Sequence, residues 1–444
     1  MLALSFTTLA NQAARLRPAL RKFRAVVDDP SAGQPRESLA KVITLVFVPF
    51  AIGYYLSYFF RCTNAIIAPQ LTSEFGLGAG DLGLLTAMYF LTFAAFQLPL
   101  GVLLDRHGPR RVQSLLLLFA AAGAILFSSG QTIEALALGR GLIGLGVAGC
   151  LMASLKAGTM WFDQRHWPTV NGCYLAIGGL GAVSATAPLE AALGFIDWRT
   201  VFLILAGVTV AIAALIFVTV PEHRNDDPVP KLGKQIRELG QIYVNLGFWR
   251  CAPLTITSMA ANMSIQGLWA GPWLKDVAGF GRDGVAETLL VLALALAGGS
   301  LVLGVLASWL EGFGISLLTF FGICAGIFIS FQAAIVFELM PRALWPWVGF
   351  GLFSNIAMFT FAYITRYFPK ELSGRAITSM NTFIFTGVFL MQYLMGEVID
   401  LWPVDASGGY HREAYFAAFG VVLIAQIISF IWFLLAGRLQ NRRA

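Results

Sequence analysis

A guanidinium group inside an apolar stretch is the residue of greatest chemical consequence in this chain. Arg61 lies in Gly53-Tyr54-Tyr55-Leu56-Ser57-Tyr58-Phe59-Phe60-Arg61-Cys62-Thr63-Asn64. A charge within a membrane span costs about 3 kcal/mol or more, so it usually faces a cavity. Its chemistry there would be the binding of an anion, with Tyr58 and Tyr54 one and two turns back along the same helix. A second polar set, Asn262, Gln266 and Trp269, leads into Gly271-Pro272-Trp273, and a helix broken by Gly and Pro exposes backbone groups to a cavity. For Trp273 an interfacial indole is an equally good reading. Asn355, Asn381 and Gln392 are weaker candidates, since amides also join helices to one another. Arg140 and Glu190 are further charges in apolar blocks, both placed near the outer end of a span, where snorkelling and solvation are the plainer readings.

This chemistry is binding, not catalysis. The four histidines, His107, His166, His223 and His411, fall in connections, and no intramembrane Ser/His/Asp constellation is present. No GxxxxGK[ST] loop offers a cradle for ATP phosphates. The five cysteines lack CxxC or Cys/His spacing and read as small buried hydrophobes. No cofactor, metal or enzymatic activity is expected.

The elements that must hold these groups follow from composition. Of 444 residues, 57% are hydrophobic and 12% charged, with a mean hydropathy of +0.73. Soluble domains are about a quarter charged, which excludes a water-soluble enzyme, a nucleic-acid-binding module and a disordered tail protein. A spanning helix needs roughly 20 apolar residues. Apolar blocks occur near 42–70, 82–104, 112–130, 133–155, 168–193, 200–220, 249–273, 285–309, 314–337, 343–365, 374–399 and 414–437, giving twelve predicted spans. The net charge of +6 comes from basic residues at the ends of these blocks, where they orient a membrane protein; nucleic acid is not an expected partner, and the lipid bilayer is.

Placing the amino terminus in the cytoplasm gathers Arg106, Arg110, Arg111, Lys156, Arg165, Arg224, Lys231, Lys234, Arg237, Arg366, Lys370, Arg375, Arg438, Arg442 and Arg443 on the inside. Only Arg199, Lys275, Arg282, Arg342 and Arg412 fall outside, so both termini are expected in the cytoplasm of a bacterial inner-membrane protein. The organisation expected is an amino-terminal arm over 1–40, a six-helix bundle over 41–220, a cytoplasmic linker over 221–246, a second six-helix bundle over 247–437 and a tail over 438–444. The arm carries Arg15, Arg17, Arg21, Lys22 and Arg24 before its first acid, Asp28. It reads as an amphipathic segment on anionic lipid, with a targeting segment as the alternative.

Between the second and third spans the chain reads Gly101-Val102-Leu103-Leu104-Asp105-Arg106-His107-Gly108-Pro109-Arg110-Arg111. This resembles the GxxxDRxGRR signature of the major facilitator superfamily. The fourth span, Gly139-Arg140-Gly141-Leu142-Ile143-Gly144-Leu145-Gly146, looks like the arginine-and-glycine segment of the same family, although close helix packing alone would explain the glycines. In the second half, Gly304 to Gly312 has lost the acid and bases of the signature, and Phe368 to Ala376 resembles the start of the family's eleventh helix. The resemblance implies an all-α fold of twelve transmembrane helices in two pseudo-symmetric bundles, alternating access and a monomer. It also implies a gating role for Asp105, Arg106, Arg110 and Arg111, and makes Arg140 a candidate for proton coupling beside Glu190.

The order Tyr54-Tyr55, Arg61, Asn64 is similar to the first helix of the organophosphate–phosphate antiporters, where an arginine meets the substrate phosphate. Gln97 and Met263 stand where those antiporters carry further cations. One cation in place of three balances a phosphate dianion poorly. The expected cargo is therefore a small organic anion or zwitterion, moved by proton symport or anion exchange. A partial likeness of Gly178 to Glu190 to the glycine/proline motif of drug–proton antiporters supplies a rival, a proton-coupled exporter. A receptor or scaffold that has lost transport is the rival of another class.

Overall fold

The computed structural model describes residues 39–163, 166–222, 232–404 and 409–441. The five basic residues of the amino-terminal arm, with Arg165, Arg224, Lys231, Arg442 and Arg443, lie outside the described residues.

The chain is a bundle of long helices, because backbone groups in hydrocarbon must be hydrogen-bonded within their own segment. We number the spanning helices α1 (Leu39–Phe75), α2 (79–107), α3 (109–129), α4 (Ile133–Trp161), α5 (167–192) and α6 (Trp198–Thr219) in the first lobe. The second lobe holds α7 (246–276), α8 (Arg282–Glu311), α9 (Leu317–Val336), α10 (Trp345–Tyr367), α11 (Lys370–Ile399) and α12 (Arg412–Asn441). A short helix, Leu232–Tyr243, lies in the connection between lobes. Twelve crossings bring residues 39 and 441 to one side of the bundle, the terminus side; the opposite side is the distal side.

Among the described residues, eleven of these twelve long helices are apolar enough to cross a membrane on length and composition alone. The twelfth, α7, is diluted by Thr255, Thr257, Ser258, Asn262, Ser264 and Gln266. It is helical without interruption from Leu246 to Asp276, but winds wider over Ile265–Trp269 as a π-turn. Such turns are frequent at functional sites. The break expected at Gly271-Pro272 thus falls a turn earlier, as a widening.

Two other irregularities matter. The signature between α2 and α3 turns at Gly108, with φ 75° and ψ 161°, where a side chain would be strained. In α5, Thr186 leaves helical geometry at φ −111° and ψ −121°, ahead of Pro188. The glycines of α4 serve packing. A Cβ on Gly144 would come within 2.1 Å of the Tyr89 carbonyl oxygen on α2, so helices α2 and α4 touch backbone to backbone.

The lobes meet along their distal halves. Helix α2 packs lengthwise on α11, where a Cβ on Gly83 would lie 2.9 Å from the Gln392 carbonyl oxygen and one on Gly396 2.5 Å from that of Ala79. Helix α1 lies on the π-turn of α7, and α5 on α8.

Candidate functional site

Arg61 lies 14 residues before the distal end of α1, about 21 Å along the helix axis at 1.5 Å per residue. It is 8% exposed and lies inside the bundle at the boundary between the lobes. Its Cζ sits 4.6 Å from the Tyr58 ring centre, 5.6 Å from Phe93 of α2 and 5.5 Å from Phe385 of α11. The two phenylalanines belong to different lobes, and their rings lie 4.1 Å apart. Among the described residues, its Nε has no hydrogen-bond partner and no carboxylate pairs with it. A cation over an aromatic face is stabilised by roughly 0.5–2 kcal/mol per ring, set against a desolvation cost of several kcal/mol.

One turn toward the terminus side, the same faces of α2 and α11 carry Gln97 and Asn381. Asn381 Nδ2 donates to Gln97 Oε1 at 3.4 Å, and Gln97 Nε2 donates to the Ala148 carbonyl at 3.3 Å. A relay of amides thus crosses between lobes beside the guanidinium. Tyr54 packs edge-on against Tyr58 at 5.2 Å and so supports the ring under Arg61. Asn64, one turn distal, donates to Thr86 Oγ1 at 2.9 Å and leaves its own Oδ1 without a partner among the described residues.

Across from α1, Gln266 lines a small enclosed space with Cys62, Ala65, Ile66, Ala182, Ala185, Thr186 and Leu289. This space lies on the distal side of Arg61, between α1, α5, α7 and α8, next to the irregularities of α5 and α7. Asn262 is buried on α7 with its Oδ1 unpartnered among the described residues. Trp269, the last residue of the π-turn that lies on α1, is fully buried and packs edge-on toward Tyr410 at 6.3 Å. Trp273 is likewise interior, 2% exposed and 5.3 Å from Trp347, not an interfacial anchor. Asn355 donates to Ser300 Oγ at 2.9 Å, holding α10 on α8 within the second lobe.

Of the two charges placed near span ends, one is removed from solvent and the other lies at the rim. Arg140 is fully buried. Its Nη1 donates to the Phe60 carbonyl at 3.1 Å, its Cζ lies 5.3 Å from Tyr89 and 5.9 Å from Phe127, and its Nε and Nη2 lack partners among the described residues. Snorkelling is prevented by these rings and by the close approach of α2 and α4. Glu190 forms an ion pair with Arg282 across the lobe boundary at the distal rim, away from the central cluster.

The signature residues hold the terminus side of the first lobe. Asp105 accepts from Lys156 Nζ at 2.9 Å, Arg110 Nε donates to the Phe217 carbonyl at 2.7 Å, and Arg111 pairs with Glu222. Arg106 is exposed. In the second lobe, Arg366 pairs with Glu311 at 2.5 Å, replacing the lost signature with one ion pair. Sequence reasoning missed Phe93, Phe385 and Tyr89, and treated Gln97 only as a departure; spacing of four along α2 and α11 is the signal that links each ring to its amide.

Comparison with known proteins fits this geometry. Residues 50–392 match the family model of the Major Facilitator Superfamily, and the chain belongs to that family. It is 30% identical over 130 residues to the nitrate/nitrite transporter NrtP of a Picosynechococcus species, covering 29% of this chain and 24% of the relative. It is 24% identical over 156 residues to the probable sulfoacetate transporter SauU of Cupriavidus necator, covering 35% and 36%. The likeness to a probable L-galactonate transporter of Escherichia coli, 24% over 316 residues, covers 66% and 68%. The chain thus spans a quarter to about a third of NrtP and SauU, and about two thirds of the galactonate relative. Among solved structures, a bacterial homologue of the human lysosomal transporter Spinster, in an inward-facing and unoccupied conformation, superposes with a TM-score of 0.72 at 18% identity over 90% of this chain and 98% of that one. The nucleoside transporter NupG gives 0.70 at 11% identity, covering 88% and 99%.

Proposed function

We propose that this protein is a secondary transporter that moves a small organic monoanion or zwitterion across a bacterial inner membrane by rocking of its two lobes. The observation that carries this reading is Arg61, buried between lobes, ringed by Tyr58, Phe93 and Phe385 and without a protein carboxylate beside it among the described residues. A carboxylate or sulfonate would meet the guanidinium in a charge-assisted, two-pronged contact. The Gln97–Asn381 relay would take a neutral polar group of the cargo one turn away, while Gln266 and Asn262 of α7 close on it from the other lobe. Relatives named as transporters of nitrate or nitrite, sulfoacetate and galactonate are all named for anions, which supports the charge class and leaves the size open.

Both termini are proposed to face the cytoplasm, in keeping with the basic residues gathered on the terminus side. Asp105, Arg106, Arg110 and Arg111 then set the gate on that side without touching cargo. Arg140 is proposed to act on α1 through its bond to Phe60, the residue before Arg61, and so to relay a change of charge in the site to the first lobe. The test is uptake into proteoliposomes loaded with, or facing, single organic acids. Arg61→Gln should abolish uptake of the anion while the protein elutes and melts like wild type. Near-normal uptake by that variant would remove Arg61 from the site.

A further inference from the structure

At the distal rim, two carboxylates at the ends of helices dock onto the starts of helices in the other lobe. Asp400, just past α11, accepts from the backbone N–H of Ala79 at 2.8 Å and of Gly80 at 2.5 Å, the first two residues of α2. Glu190, near the end of α5, pairs with Arg282, the first residue of α8. The pseudo-twofold relating the lobes exchanges α2 with α8 and α5 with α11, so the docks are counterparts. One uses a side-chain cation, the other bare backbone amides.

The first amides of a helix have no intrahelical partner and sit at the positive end of the helix dipole. Asp81 already takes the N–H of Gly78 at 3.1 Å, and Asp400 takes the next two. There is no room for a side chain beneath it: a Cβ on Gly80 would lie 2.7 Å, and one on Gly78 3.1 Å, from an Asp400 carboxylate oxygen. Asp400 is more than 300 residues away from these amides in sequence and belongs to the other lobe, so the contact must break whenever the distal ends part. Because Asp400 is exposed at the rim, water can take over both partners on opening. The exchange is thus reversible, unlike the parting of groups buried in hydrocarbon.

We propose that Asp400, with Glu190 as its counterpart, is the latch that holds the distal side closed, and that the distal-closed population is set by these two docks. The latch does not depend on which cargo Arg61 takes.

The test uses the full-length protein in nanodiscs without any solute. Spin labels go on Phe195→Cys and Leu339→Cys, exposed distal positions of the first and second lobes, with Cys62 and Cys173 replaced by alanine. Pulsed electron paramagnetic resonance then reads the distance across the distal side. Asp400→Ala should raise the ratio of long to short distances roughly five- to thirtyfold, which corresponds to about 1–2 kcal/mol. Glu190→Gln should raise it less, both together more, and Asp400→Glu should restore the short distance. Should Asp400→Ala fail to fold, Gly80→Ala displaces the carboxylate while keeping its charge and should lengthen the distance likewise. A distribution identical to wild type in the folded member of this pair overturns the latch.

Discussion

Arg61 and Arg140 stand on adjoining helices of one lobe, both beside Tyr89, and both are removed from solvent. Their surroundings differ in kind. Every group that Arg140 touches, the Phe60 carbonyl and the Tyr89 and Phe127 rings, belongs to the first lobe. Arg61 has one of its rings, Phe385, from the second. On the proposed reading, rocking of the lobes would leave the environment of Arg140 intact and take apart that of Arg61. Burial alone does not distinguish the two arginines; the division of the shell between lobes does.

Four substitutions sharpen or break this comparison. The largest effect is expected for Arg61→Gln. Truncating one partner of a buried charge pair costs about 2–5 kcal/mol, so affinity for an anionic cargo should fall by roughly thirty- to several-thousandfold in equilibrium binding. Arg140→Met should keep anion affinity within about threefold of wild type. Loss of its bond to Phe60, worth about 1.5 kcal/mol, should slow uptake roughly tenfold; equal losses of affinity in both arginine variants would erase the distinction. Asp105→Asn breaks a partly exposed ion pair, worth up to about 1 kcal/mol. It should slow proteoliposome uptake by at most about fivefold at unchanged affinity, and an affinity loss at normal turnover would place the signature in the binding site. The smallest change is expected for Asn381→Ala, whose hydrogen bond to Gln97 is long at 3.4 Å. It should weaken a hydroxylated anion about two- to fivefold by calorimetry, and a bare carboxylate less.

The frame of the molecule was readable because hydrocarbon imposes it: long apolar blocks and basic ends place twelve helices without reference to packing. Arg61 was readable for the same reason, since a charge in an apolar run stands out locally. Its rings were not. Phe93 and Phe385 are two among 36 phenylalanines, and nothing in a linear pattern says which pair meets between lobes. The burial of Arg140 was not readable, because it lies only seven residues into α4; what buries it is the backbone contact of α2 with α4. The π-turn over Ile265–Trp269 was not readable either, because only Gly267 within it departs from residues that an ordinary helix accepts. Asp400 reads in sequence as a loop acid, and only the meeting of α11 with α2 gives it work.

The claim at the centre of this account is that a lone guanidinium shared between lobes selects for negative charge. Thermal unfolding of purified wild type and Arg61→Gln against monocarboxylates, sulfonates, amino acids, phosphate esters and neutral sugars tests it most directly, since a ligand of the folded state raises the midpoint. The account predicts that a monoanion or zwitterion raises the midpoint of wild type and leaves Arg61→Gln unmoved. Stabilisation by a neutral sugar, or by the same anion to the same extent in both proteins, would contradict it.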